Sequence, residues 1–233
     1  MTKLYYKKSN KKNLKIIIRI VSIGIFLAGL YVLSYVFLPI YSWHIYFAPV
    51  FAAQNVNYPI PKLLLLTPTS NTSIDTKYLD AKNWFPTLST TDTAPKISSY
   101  TLSIPKLSIK NALVSTINND LSKHLVHYQG TALPPDNGNA VIFGHSTLPQ
   151  LFNPKDYTTI FARAYTLSNY DKIILQMQGI TYTYSIYNTT VVNPTDTSPF
   201  NQDYAFSHLT LVTCTPPGTT WKRLIIKAKI ENL

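Results

Sequence analysis

Residues 20–38 form nineteen consecutive positions without a charge (IVSIGIFLAGLYVLSYVFL), and nothing else in the chain constrains its architecture as strongly. At about 1.5 Å per residue the run makes about 28 Å of helix, close to the roughly 30 Å hydrocarbon thickness of a bilayer. A cleaved export signal has an apolar region of about 7–15 residues with a small-x-small site just after it. This run is longer, and the nearest such site, around Ala52 and Ala53, lies well downstream. The expectation is an uncleaved anchor. Tyr31, Tyr35, Tyr41, Trp43 and Tyr46 crowd its C-terminal side, as interfacial aromatics do. Lys3, Lys7, Lys8, Lys11, Lys12, Lys15 and Arg19 precede it, and no acidic residue occurs before Asp75. Positive charge keeps that flank in the cytoplasm. The chain therefore reads as a single-pass plasma-membrane protein. Residues 1–19 form a basic cytoplasmic tail, 20–38 the transmembrane helix, and the remainder of the chain lies outside the cell.

The same charge block settles a second question. A net charge of +11 invites a nucleic-acid partner, but seven of the positive charges sit ahead of the apolar run. Beyond residue 19 there remain 14 basic and 10 acidic side chains, a net of +4, which is ordinary for a soluble domain. No nucleic-acid partner is expected. Cys214 is the sole cysteine, so no intramolecular disulfide can form, and a lone thiol outside the cell is an oxidation liability unless it has a use. The alternative is a buried cysteine acting as a small hydrophobe.

Residues 39–53 are apolar but broken by Pro39 and Pro49, which suits an interfacial segment better than a second span. From about residue 54 to Pro95 the composition turns to Thr, Ser, Asn, Asp and Pro, a spacer between membrane and domain. Residues 39–97 are assigned to these two parts together. Trp84 and Phe85 are the exception, since two large aromatics in a linker usually dock on something. From residue 98 onward short strands alternate with turn signals, at 100–104, 107–114, 140–143, 171–178, 180–192, 209–213 and 224–230. Ile180, Tyr182, Tyr184 and Ile186 share one face against Thr181, Thr183 and Ser185, the period of a half-buried strand. Gly179 joins that strand to its predecessor as a hairpin. Residues 118–125 suit one short helix. Seven or eight strands in this stretch predict an all-β barrel or sandwich over 98–233.

Cys214 ends one strand and Arg223 begins the next, with Pro216, Pro217 and Gly218 between them. In a hairpin both side chains emerge at the same end of adjacent strands. His145 comes after another strand, just past Gly144, so three side chains can converge on one rim of a barrel. A thiolate is a nucleophile, an imidazole carries protons, and a guanidinium can hold a developing oxyanion. Each has a plainer alternative as a surface histidine or a strand-end charge. His124 and His127 look like surface residues and His208 like a cap before a strand. No metal-ligand spacing is visible among the cysteine, histidines and scattered carboxylates.

TLVTC (210–214) resembles the TLxTC signature of sortases, membrane-anchored cysteine transpeptidases of bacterial cell surfaces. The resemblance continues through TCTPPGTTWKRL (213–224), where the arginine comes nine residues after the cysteine. GNAVIFGHS (138–146), HYQGTALP (127–134) and SIPKLSIKNALV (103–114) resemble further family segments in the family's order. The resemblance implies an eight-stranded closed β-barrel of sortase type with short helices, behind the N-terminal helix. It implies that a surface protein with an LPxTG-like C-terminal sorting signal is cleaved through a thioacyl intermediate. The product is then passed to an amine of a cell-wall precursor or a pilin, without cofactor or metal. By resemblance Cys214 is the nucleophile, His145 the acid/base and Arg223 the oxyanion and substrate binder, with Thr213, Leu211 and Gly144 in substrate binding. Ser146 stands where some classes carry arginine, and no Asp-Pro-aromatic lid motif occurs in the spacer, although Asp80 with Trp84 and Phe85 offers an unconventional one. The competing possibility is a degenerate barrel that serves as a membrane-tethered binding or scaffold module.

Overall fold

The computed structural model describes residues 11–42, 45, 80–84 and 97–231. The expected interfacial segment from residue 46, most of the spacer and Phe85 lie outside the described residues. Helix α1 runs Lys11–Ser42, and within it Lys15–Leu38 is long and apolar enough to cross a membrane, with none of that stretch buried by protein. Its large apolar side chains are exposed, Phe26 at 68% and Tyr31 at 71%, as those of a candidate membrane span are.

Eight strands close a barrel: β1 Ser99–Ile104, β2 Ile109–Ser115, β3 Leu125–His127, β4 Gly138–Phe143, β5 Lys172–Met177, β6 Ile180–Val192, β7 Ser207–Thr215 and β8 Lys222–Ile230. Their order around the barrel is β1-β2-β3-β4-β7-β8-β6-β5, with β2–β3 and β4–β7 parallel and all other pairs antiparallel. Closure leaves no edge strand to template aggregation. The β5–β6 hairpin turns at Gln178 and Gly179, both left-handed (φ 51° and 81°), as a two-residue loop matched to strand twist requires.

Residues 118–125 do not form the expected helix. Asp120 Oδ1 accepts from the Ser122 amide and hydroxyl, and Asn118 Oδ1 accepts from the Asp120 amide. These side chains satisfy the backbone as turns, and the segment ends in β3. His124 and His127 are buried rather than on the surface, and His208 is the second residue of β7 rather than a cap ahead of it. His127 lies between Tyr100 and Thr131: Thr131 Oγ1 donates to the Tyr128 carbonyl, which leaves it to accept from His127 Nε2 at 3.2 Å. Nδ1 then accepts from the Tyr100 hydroxyl at 2.9 Å.

The core has two layers. Ala140, Ile142, Leu209, Leu211, Leu224 and Ile226 point into the barrel. Their neighbours Val141, Phe143, Val212, Cys214 and Ile225 form a second buried cluster on the opposite, outer face of β4, β7 and β8. These strands are apolar on both faces because both are covered, so β4 is buried at every position.

Candidate active site

The register of three neighbouring strands builds the site. Cys214 on β7 pairs directly with Arg223 on β8. On its other side β7 runs parallel to β4, Phe143 opposite Val212, and the Gly144 amide extends that ladder to the Val212 carbonyl at 3.2 Å. Two residues beyond Phe143 and Val212 come His145 and Cys214. His145 just past the end of β4, Cys214 on β7 and Arg223 on β8 thus fall in one row on the outer face. The row does lie at the strand ends, but it does not open at a free rim. Cys214 is 5% exposed and Arg223 is 1% exposed.

Backbone bonds fix the row. The Thr213 hydroxyl donates to the Gly144 carbonyl at 2.7 Å, the Ser146 hydroxyl to the Cys214 carbonyl at 2.7 Å, and the Phe161 amide to the His145 carbonyl at 3.0 Å. Gly144 is required by its surroundings: a Cβ there would sit 2.4 Å from the Phe161 ring and 2.7 Å from Leu125. Thr213 therefore acts on the histidine loop. Leu211 is not brought to the face of Cys214, since alternation turns it into the barrel core.

The row's cover comes from the segment ahead of the barrel. Residues Ala81–Trp84 form a short 3-10 helix. Trp84 is fully buried, edge-on to Phe143, with its ring 5.6 Å from the His145 ring and 5.2 Å from the Arg223 guanidinium. The expectation that these aromatics dock on something holds for Trp84. Arg223 donates from Nη1 to the Thr220 and Lys222 carbonyls at 3.0 and 3.2 Å, and from Nη2 to the Trp84 carbonyl at 3.2 Å.

Burial dominates the electrostatics. It pushes the Cys214 thiol up to about 11, against the opposing pull of the Arg223 charge. It pulls His145 below its ordinary value, with the Asp120 carboxylate acting in the opposite sense. His145 Nε2 is buried with no hydrogen-bond partner among the described residues. The row can supply a thiol, a proton carrier and a fixed cation in one line, which is the inventory of nucleophilic acyl transfer.

A family model described as Sortase domain matches residues 102–231, more than half of the chain. The chain belongs to the sortase family. Sortase D of Bacillus subtilis (strain 168) is 32% identical over 132 residues, which make up 55% of this chain and 61% of that protein. The chain thus spans less than two thirds of the length of that curated sortase. A lid mutant of sortase A from Corynebacterium diphtheriae superposes with a TM-score of 0.50 at 29% identity, covering 60% of this chain and 73% of that one. Sortase C1 from Streptococcus agalactiae gives a TM-score of 0.51 at 26% identity over 60% and 72% of the two chains. The sortase barrel is therefore the fold of this chain, and the resemblance in its motifs is a resemblance of the whole domain.

Three neighbours of the row in this sortase are only weakly marked in the sequence. Asp120 lies in a stretch expected to be helical, Ser146 is visible only as a departure from arginine, and Trp84 sits 130 residues before Cys214. Aromatic content in an otherwise polar spacer is the one available hint.

Proposed function

We propose that this sortase is a cysteine transpeptidase, with the domain over 98–233 carrying the reaction and α1 anchoring it, N-terminus inside and barrel outside. The observation that supports the reading is the row made by Cys214 on β7, Arg223 opposite it on β8, and His145 just past the end of β4. The substrate is a surface protein with an LPxTG-like C-terminal sorting signal. The Cys214 thiolate attacks the carbonyl carbon of the Thr–Gly bond, forming a C–S bond and a tetrahedral oxyanion that Arg223 faces. Collapse breaks the C–N bond, and the His145 imidazolium gives its proton to the departing amine. A cell-wall or pilin amine then attacks the thioester and loses its proton to His145. An amide forms, and the thiolate leaves as it began. The basic flank of the apolar helix supports the orientation.

Two substitutions separate the roles. Arg223→Lys keeps the charge but loses the planar fork, and turnover of a sorting peptide should fall about 10²-fold, as when an oxyanion donor is lost. Alkylation of the thiol should persist in that variant. His145→Ala should slow alkylation at neutral pH and abolish transfer. Wild-type turnover in Arg223→Lys would remove the oxyanion role. Normal alkylation and turnover in His145→Ala would make His145 a bystander and favour the binding-module alternative.

A further inference from the structure

We infer that the barrel docks on the bilayer surface through the tip of the β4–β5 connection, Pro149–Leu151, where Gln150 caps a main-chain carbonyl of α1. The docking rests on α1 being the membrane anchor, as proposed above, and not on the chemistry of Cys214.

The sequence of α1 creates the opening for this contact. In an α-helix the carbonyl of one residue accepts from the amide four residues on. For Tyr35 that residue is Pro39, which has no amide hydrogen. Tyr35 lies three residues before the end of the apolar stretch Lys15–Leu38, about 4.5 Å of helix from its boundary. A carbonyl left unpaired at that depth is costly in lipid. The Gln150 side chain reaches it, with Nε2 3.5 Å from the Tyr35 oxygen. The barrel thus supplies the donor that Pro39 withholds, and the contact sets the tip level with the lipid boundary.

The chemistry of the tip suits that level. Leu151, next to Gln150, is 56% exposed, and Trp221 on the β7–β8 connection is 62% exposed. The two connections touch, since a Cβ on Gly218 would lie 2.9 Å from the Leu148 side chain. Bare leucine and tryptophan belong where water gives way to lipid, and tryptophan favours the headgroup region. Cations flank them. Arg163 is exposed, donates from Nε to the Pro149 carbonyl at 3.2 Å, and lies 5.0 Å from the centre of the Phe152 ring. Lys222, beside Trp221, is exposed as well. A guanidinium and an ammonium at this height match the phosphates of lipid headgroups. Exposure alone does not mark the surface, because Ile180 at the far end of β6 is 53% exposed and no contact joins it to α1 among the described residues.

The same two connections carry the candidate row. His145 is the second residue of the β4–β5 connection, Cys214 is one residue from the end of β7, and Arg223 is the second residue of β8. Docking therefore holds the row at the bilayer surface.

The test uses the full chain carrying Cys214→Ala in anionic lipid vesicles, which leaves no other cysteine to label. A nitroxide is attached through Leu151→Cys, Trp221→Cys, Ile180→Cys or Leu33→Cys, one at a time, and each variant is checked by its thermal melt. Collisions with oxygen, which enters lipid, are compared with collisions with a water-soluble nickel chelate. Leu33 lies within the span and reads the anchor. Ile180 reads the opposite end of the barrel, because Val192 at the other end of β6 pairs with Arg223. The ratio of oxygen to nickel collisions should be about tenfold higher at Leu151 and Trp221 than at Ile180, as for a surface docked about nine-tenths of the time. Gln150→Ala removes the donor, and Pro39→Ala gives the Tyr35 carbonyl an amide within α1. Both should lower the ratio at Leu151 toward that of Ile180 without changing it at Leu33. A ratio at Leu151 and Trp221 equal to that at Ile180, with Leu33 in lipid, overturns the docking and leaves the anchor standing. A ratio at Leu151 unmoved by both Gln150→Ala and Pro39→Ala overturns the cap on α1. An aqueous Leu33 removes the anchor reading itself, and the docking with it.

Discussion

The Ser146 hydroxyl donates to the main-chain carbonyl of Cys214 at 2.7 Å, so the residue after the candidate base is bonded to the backbone of the candidate nucleophile. A neutral hydrogen bond of this kind is worth about 1 kcal/mol, or about fivefold in rate if it aims the two groups. Ser146→Ala should lower kcat by about that factor with KM unchanged, and Ser146→Thr should restore it. An equal loss in both variants, or a change confined to KM, would mean that the bond does not align the pair.

Asp120 acts on His145 through space and raises its pKa against the stronger effect of burial. Asp120→Asn keeps an oxygen for the turn to Ser122 but removes the charge. The His145 imidazole, followed by NMR, should titrate at lower pH in the variant than in the wild type. An unmoved titration would show that solvent screens the carboxylate from the ring.

His127 makes the barrel acid-sensitive. Burial holds it at about 4 against an ordinary 6.5, so the unfolded chain takes up its proton first as pH falls. The stability it allows is complete above pH 6.5 and is lost progressively as the pH drops toward 4. By linkage the loss approaches about 3 kcal/mol. His127→Gln should flatten that slope in urea titrations, whatever its effect at neutral pH. A slope as steep as the wild type would place the acid sensitivity elsewhere.

Gly144 offers a packing test of the histidine loop. An added methyl meets the Phe161 ring at 2.4 Å, and overpacking of this kind costs about 1–3 kcal/mol. Gly144→Ala should lower the melting temperature and displace His145. Adding Phe161→Leu should recover part of both stability and activity. An Ala variant with an unchanged melt would mean that the ring moves aside freely.

The barrel is legible in the sequence because glycine and proline punctuate the strands and because four family segments stand in order. The β5–β6 hairpin can be read from Gly179 and from the alternation in residues 180–186, even though Ile180 at the turn end is exposed. Strand β3 is not legible because three residues carry no period. The placement of Cys214 on the outer face cannot be read either. Strands β4, β7 and β8 are buried on both sides, so alternation is erased and Leu211 and Val212 look equivalent although they face opposite ways. The candidate roles of His145, Cys214 and Arg223 are suggested by residue type and spacing. Their roof is legible only as the expectation that Trp84 and Phe85 dock on something, with Asp80 as an unconventional lid; where Trp84 lands is set by tertiary docking, which leaves no periodic trace.

The most direct test of the account is intact mass spectrometry of the full chain after brief mixing with a peptide bearing an LPxTG-type signal and no acceptor amine. The account predicts a covalent adduct equal to the acyl fragment on the N-terminal side of the Thr–Gly bond, located on Cys214 and released by an added amine as a new amide. Cys214→Ala should show no adduct while still melting cooperatively. Cleavage of the peptide by Cys214→Ala, or turnover by the wild type with the adduct on any other residue, would contradict it.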